Sequence, residues 1–191
     1  MPTRQQIEKL GNTLVFLAEN VSELNKTKAL KLLFLLEEKS IRERGYPFFG
    51  FKFEIWQYGP VLKEVYVDLE NDLPLLNNYI QRTPYDPSIF EAKARFVDDE
   101  FSDWDLELLE QIKMFAKNKI AKDLVEITQA PDSLWVKSAK QNKILQDLLA
   151  KKITTTDFTI DFSLLFEDGS PLKERYLNSV ENLQLIESLK D

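Results

Sequence analysis

The densest apolar run in the chain is ALKLLFLL, residues 29–36, where Lys31 is the one polar residue. A helix carrying it is apolar nearly all round and belongs in the middle of a core. Asn25 offers a side-chain cap at its start, Gly45 a left-handed stop at its end, and Arg42 and Arg44 suit the negative helix terminus. The pattern therefore predicts a central helix ending near residue 44. Upstream, Ile7, Leu10, Leu14, Leu17 and Ala18 recur at helical spacing behind a Thr3/Gln6 capping pair, giving a first amphipathic helix to about Asn20. Gly11 sits inside it at a cost of about 1 kcal/mol relative to Ala, which a close packing contact would explain.

Downstream the period changes to two. In FKFEIWQY, residues 51–58, Phe51, Phe53 and Ile55 share one face and Lys52, Glu54, Trp56 and Tyr58 the other, as in a strand. Gly59-Pro60 breaks the alternation, and Val61, Leu62, Val65, Tyr66 and Leu69 resume a helical spacing. The expectation is a strand turning directly into a helix over 61–71, with Pro60 at its first position. Residues 72–87, with Pro74, Pro84 and Pro87, read as a loop, and IFEAKARFV as a second strand able to pair with the first.

Ser102, Asp103 and Asp105 open a further helix, with Leu106, Leu109, Ile112 and Phe115 as its buried face. A short helix, AKDLVEITQA, ends before Pro131, and residues 133–151 read as a Lys-rich helix. DFTIDF, with Phe158, Ile160 and Phe162 alternating, suggests a third short strand. Asp168-Gly169 turns the chain into a last helix carrying Leu172, Tyr176, Val180, Leu183 and Leu189. The predicted fold class is α+β: a mostly α-helical single domain, residues 1–191, around a buried central helix with a small antiparallel β-sheet.

Composition removes more chemistry than it supplies. The 191 residues include no Cys and no His, which excludes disulfides, thiolate nucleophiles, zinc-thiolate sites and imidazole relays. Catalysis would rest on carboxylates, Lys or Tyr, and no paired-acid motif stands out. With five Gly, no phosphate-cradling loop is present. Asp98, Asp99 and Glu100 could approach a divalent cation, but consecutive acids before a helix more often cap it or face solvent. No catalytic residue, metal site or cofactor is assigned.

No apolar run reaches the roughly 18–20 residues that cross a bilayer, so a cytoplasmic protein is expected. The net charge of −7 is blocked: residues 98–110 carry seven acids and no base, and residues 113–152 nine Lys against four acids. An acidic total disfavours nonspecific nucleic-acid binding and suits a basic partner. Lys137, Lys140, Lys143, Lys151 and Lys152 could form a basic face, but no interleaved aromatics accompany them. Trp56, Tyr58 and Tyr66 form an aromatic set beside the Gly59-Pro60 turn. Two readings of it stay open, ordinary core residues or a partner-binding hot spot.

KALKLLFLLEEK followed by FKFEIWQYGPVLKEVYVDL resembles the Panacea domain family (DUF4065, the SocA-like antitoxins), in which a KLQKLLYFAQ-like helix precedes an F-x-x-W-x-Y-G-P-V-x-x-x-V-Y signature. The matching residues are Phe53, Trp56, Tyr58, Gly59, Pro60, Val61, Val65 and Tyr66. A second match lies at Thr128, Pro131 and Trp135, with Gln129 where the family usually carries His. The resemblance spans about residues 24–138 and leaves 139–191 as a helical C-terminal extension. It implies the non-catalytic antitoxin of a two-gene toxin–antitoxin system, often phage-associated, that binds a cognate toxin directly. One toxin class paired with the family is small alarmone-synthetase-like enzymes. The competing readings are a winged-helix-like DNA-binding autoregulator and a carboxylate enzyme. The resemblance leads us to expect the Gly59-Pro60 signature to build scaffold, with specificity in the loop at 72–88 and the C-terminal helix.

Overall fold

The computed structural model describes residues 3–188. Helix α1 (Arg4–Asn20) opens on the capping box of Thr3 and Gln6 and ends at Val21. Gly11 lies against Tyr79, where a Cβ would come within 2.5 Å of the ring. The glycine is thus a close-approach site between α1 and a later loop.

Helix α2 (Lys26–Arg44) is capped by the Asn25 side chain, which accepts from the Lys28 amide, and stops at Gly45 with φ 70°. Ala29, Leu30, Leu32, Leu33, Phe34 and Leu36 are all buried, and the helix touches α3 (Lys63–Glu70), α4 (Asp103–Ala116), α5 (Ala121–Thr128), α8 (Pro171–Ser188) and the hairpin described next. The central-helix reading holds. Phe34 is the anchor, edge-on to Phe53 at 5.5 Å and tilted against Phe162 at 5.9 Å.

The strand expected over 51–58 is shorter and differently partnered. Strand β1 (Glu54–Trp56) pairs antiparallel with β2 (Gly59–Val61) in the register Glu54 to Val61, Ile55 to Pro60 and Trp56 to Gly59. Gly59-Pro60-Val61 is therefore the return strand of a hairpin, and helix α3 (Lys63–Glu70) begins two residues later than the sequence suggests. Proline is tolerated there because Ile55 directs its amide away from the hairpin to the Phe158 carbonyl, at 2.8 Å. No ladder bond is asked of Pro60 in that pair. Gly59, at φ 98°, supplies the backbone the tight turn needs.

The second strand does not join the first. β3 (Ile80–Arg82) and β4 (Phe90–Ala92) form a separate antiparallel hairpin. Its turn is built by Thr83, whose hydroxyl donates to the Asp86 carbonyl and accepts from the Asp86 amide. Half of the expected loop is thus a strand and a turn. Ile89 bridges to Asn25, which ties this hairpin to the start of α2.

Helix α4 (Asp103–Ala116) carries the expected Ser102 cap, but its buried face is Asp105, Leu108, Leu109, Ile112 and Ala116. Leu106 is half-buried and Phe115 is 39% exposed, so the helix is rotated about one position from the predicted stripe. Helix α5 (Ala121–Thr128) follows. The Lys-rich segment is two helices, α6 (Leu134–Gln141) and α7 (Leu145–Leu149), separated where Lys143 takes φ 59°. DFTIDF forms one bridge, Glu54 to Thr159, and then a 3-10 turn at Phe162–Leu165 in place of a strand. Ile160 and Phe162 are buried while Phe158 is exposed. Helix α8 (Pro171–Ser188) ends the described chain, and Leu189 lies outside it. The architecture is α+β and mostly helical, with two small two-stranded sheets. No described helix is long and apolar enough to cross a membrane.

Candidate functional site

The two stretches that carry the family resemblance meet at one place, the tip of the β1–β2 hairpin. Its backbone carbonyls are held one by one. Trp135 Nε1 donates to the Trp56 carbonyl at 2.8 Å, Gln129 Nε2 to Gln57 at 2.7 Å, and Lys31 Nζ to Pro60 at 2.9 Å. From the other side the Gln57 amide donates to the Thr154 carbonyl at 2.9 Å, and Thr156 Oγ1 donates to the Ile55 carbonyl at 2.8 Å. A two-stranded hairpin is marginal alone. Here its turn is fixed by bonds from α2, α5, α6 and the segment after α7.

Each clamp follows from its local structure. Thr128 is buried at the end of α5 and turns its hydroxyl back to the Leu124 and Val125 carbonyls, leaving Gln129, the C-cap, to reach the hairpin. Thr128 Oγ1 and the Lys31 side chain lie so close to Gly59 that a Cβ there would stand 3.0 Å from one and 3.1 Å from the other. Ser133 caps α6 by accepting from the Val136 amide, and this sets Trp135, the largest fully buried side chain, across the hairpin. Phe53, Val61 and Val65 are core, and Pro131 is exposed in the turn between α5 and α6.

Lys31 was missed by sequence reasoning as a functional position. It is buried on α2 with no carboxylate partner among the described residues, and burial lowers its amine to about 7. The signal was the one cation inside an apolar run: such a lysine must either snorkel or find an acceptor, and it finds Pro60.

The aromatic set does not form one surface. Trp56 and Tyr66 pack edge-on at 4.8 Å, with Lys26 Nζ 4.4 Å over the Tyr66 ring and Trp56 Nε1 donating to Glu54 at 2.8 Å. Both are half-buried. Tyr58 stands apart at the hairpin tip, 64% exposed, with no ring partner among the described residues.

A second buried ionisable group lies further along α2. Glu37 accepts from the amides of Phe49 at 2.7 Å and Gly50 at 3.0 Å, so it organises the loop after α2. Burial pushes its carboxyl up to about 7, against those amides and the charge of Lys9. Beside it a cavity of about 380 Å³ is bounded by Phe51, Leu62, Ile160 and Phe162 below and by Tyr176, Val180 and Leu183 of α8 above. Burial, and then the Glu37 charge, raise the Tyr176 hydroxyl.

Asp98 and Asp99 lie exposed in the turn before α4, with Glu100 half-buried beside them. Among the described residues no group of three acids is placed to hold a metal ion. Lys137, Lys140, Lys143 and Lys151 are exposed, Lys152 pairs with Asp147, and the break between α6 and α7 denies them a continuous face.

No curated protein and no solved structure matches the chain significantly. The family described as Antitoxin SocA-like, Panacea domain, does match, over residues 30–136. That span takes in α2 from Leu30 onward, the hairpin and the α5–α6 clamp, and it stops one residue past Trp135. It omits α7, the 3-10 turn and α8. A match of this extent, centred on the hairpin and the side chains that hold it, makes the chain a member of the SocA-like antitoxin Panacea domain family.

Proposed function

We propose that this protein is the antitoxin of a toxin–antitoxin pair, acting in the cytoplasm, and that it neutralises its toxin by direct, non-catalytic contact through the β1–β2 hairpin. Membership of the family implies a toxin partner in general. The observation that carries the contact is Tyr58, an exposed aromatic on a turn whose carbonyls are bonded by Trp135, Gln129 and Lys31. A side chain presented on a fixed backbone loses little freedom on binding, which is why preorganised aromatic anchors dominate interfaces. Trp56 and Tyr66, half-buried and packed on each other, stand apart from it.

The test uses the product of the adjoining gene, identified by growth arrest when expressed alone, with small alarmone-synthetase-like enzymes the first class to look for. Tyr58→Ala removes a mostly exposed side chain and is expected to leave folding intact while weakening toxin binding by ~2 kcal/mol or more, the size of a hot spot. Rescue of growth by Tyr58→Ala at wild-type affinity would remove the hairpin from the interface. A toxin that survives untouched beside the wild-type protein would remove the antitoxin reading itself.

A further inference from the structure

We propose that the cavity between Glu37 and α8 is a small-molecule site, and that it takes a primary amine on an aromatic or aliphatic body, the ammonium pairing with the Glu37 carboxylate. The site stands apart from the antitoxin reading and uses a different part of the chain.

The cavity holds about 380 Å³. At ~30 Å³ per water-sized group that is room for about a dozen non-hydrogen atoms, within the ~300–1,000 Å³ of ordinary ligand pockets. Its floor is apolar. Leu62, Ile160 and Phe162 are buried there, and Phe51 and Tyr176 add two half-buried rings. Lys52, Glu64, Thr159 and Gln184 also line it but are exposed, so they mark its mouth. Glu37 lines the same space from α2 and is only 1% exposed. Apolar walls with one convergent charged group are the usual construction of a small-molecule pocket.

Glu37 is short of a counter-charge. The amides of Phe49 and Gly50 bond one carboxyl oxygen each, with the Phe48 amide alongside. A carboxylate offers about four lone-pair sites, so acceptor capacity remains. Among the described residues no Lys or Arg forms an ion pair with it, and Lys9, whose charge it feels, is bonded to Asp105 at 3.0 Å. At the mouth Lys52 and Glu64 offset each other, and Asp161 adds a second acid acting on Tyr176. The lining therefore carries one uncompensated negative charge, deep inside. The rise of the Glu37 carboxyl to about 7 expresses the same imbalance. An ammonium placed here relieves it, and the aromatic walls favour a cation as well as an apolar body. A neutral ligand leaves the carboxyl uncompensated, and an anionic one adds repulsion.

The amine also has a structural consequence. Val180 and Leu183 of α8 form the upper wall, while Glu37 belongs to α2. A ligand that touches both ties the last helix to the central one.

Calorimetric titration of the full chain with tryptamine and with tryptophol, its uncharged alcohol analogue, tests this. Tryptamine is expected to bind ~10-fold or more tighter than tryptophol at pH 8, the gain of a charge-assisted bond. Its affinity should fall about ten-fold from pH 8 to pH 6 as Glu37 takes up a proton, and bound tryptamine should slow hydrogen exchange in the second half of α8. Glu37→Gln should remove the preference for the amine and its pH dependence, leaving tryptophol unaffected. Val180→Trp, which fills the cavity and leaves α2 intact, should abolish binding of both, and it serves alone if Glu37→Gln loses its fold. Equal affinity for amine and alcohol overturns the charge recognition. Tryptamine affinity unchanged in Val180→Trp places the amine elsewhere and overturns the site, as does the absence of binding by both tryptamine and phenethylamine at millimolar concentration. No toxin enters these measurements, so their failure leaves the antitoxin reading where it stands.

Discussion

Two corners along α2 are built on opposite terms. At Lys31 the helix meets the hairpin, and side chains from α2, α5 and α6 bond its turn one carbonyl at a time. At Glu37 it meets α8, a helix with no buried residue through position 185, flanked by gaps of about 380 Å³ and 470 Å³. The first corner lies within the family match, and the cover of the second lies beyond it. A packed core has few alternative arrangements, so the clamped corner is fixed while the loosely covered one retains freedom. Loop 72–88, for its part, is half hairpin.

The largest expected effect falls on the element both corners share. Phe34→Ala removes the ring that touches Phe53 and Phe162 and leaves a cavity between α2, β1 and the 3-10 turn. A loss of ~3–5 kcal/mol is expected, read from denaturant unfolding. A loss below about 1 kcal/mol would mean that neither corner is anchored on α2.

Native-state hydrogen exchange compares the corners directly. Amides of α2 should exchange only with global unfolding, and those in the second half of α8 through a local opening at least ~2 kcal/mol cheaper. Anchors near the start of α8 remain, because Arg175 donates to the Arg44 carbonyl and Tyr176 packs on Phe166. Equal protection along α8 and α2 would erase the distinction.

The buried charges predict how stability varies with pH. Lys31 falls from 10.5 to about 7 in the folded protein, so the unfolded chain holds more protons between those values and stability rises with pH across that window. Glu37 rises from 4.5 to about 7, so the folded protein holds more protons between 4.5 and 7 and stability falls as pH rises there. Together they place a minimum near neutrality. Lys31→Met should flatten the alkaline limb and Glu37→Gln the acid limb, each by ~1 kcal/mol or more relative to wild type in urea melts across pH. Parallel curves for wild type and variants would show that neither group titrates in the folded state.

Sequence reading located what depends on local chemistry and missed what depends on distant partners. The Thr3, Asn25 and Ser102 caps and the Gly45 stop were legible because each is fixed within a few residues. The apolar run of α2 was legible because it is buried on nearly all sides. Gly59-Pro60 suggested a strand turning into a helix, since nothing local reports that Ile55 would aim its amide at Phe158 and leave Pro60 free to pair. Pairing of β4 with β3 was equally hidden, because strand partners are chosen by three-dimensional proximity that alternation does not encode. Of the aromatic set, only the two half-buried members meet. The clamp itself left a trace in Thr128, Pro131 and Trp135, but the bonds of Gln129 and Trp135 to the hairpin appear only when the chain is folded.

The smallest expected effect concerns the position where the family resemblance departs. Gln129 holds the hairpin through one donor, its Nε2 to the Gln57 carbonyl at 2.7 Å. The position therefore asks for a side chain with an N–H at the right reach, which an imidazole supplies as well as an amide does. No proton need move there. Gln129→His is accordingly expected to keep stability and toxin binding near wild type, while Gln129→Ala loses one part-buried bond at ~0.5–1.5 kcal/mol. Gln129→Glu should cost more than Ala, because a carboxylate brings no donor and sets its charge against the lone pairs of the carbonyl. The order Gln, His, Ala, Glu in thermal melts, with toxin affinity following the same order by a smaller amount, is the expected result. Retained stability with abolished toxin binding in Gln129→Ala would move this residue out of the scaffold and into the interface, and the contrast between a clamped hairpin and a variable surface would have to be redrawn at that point.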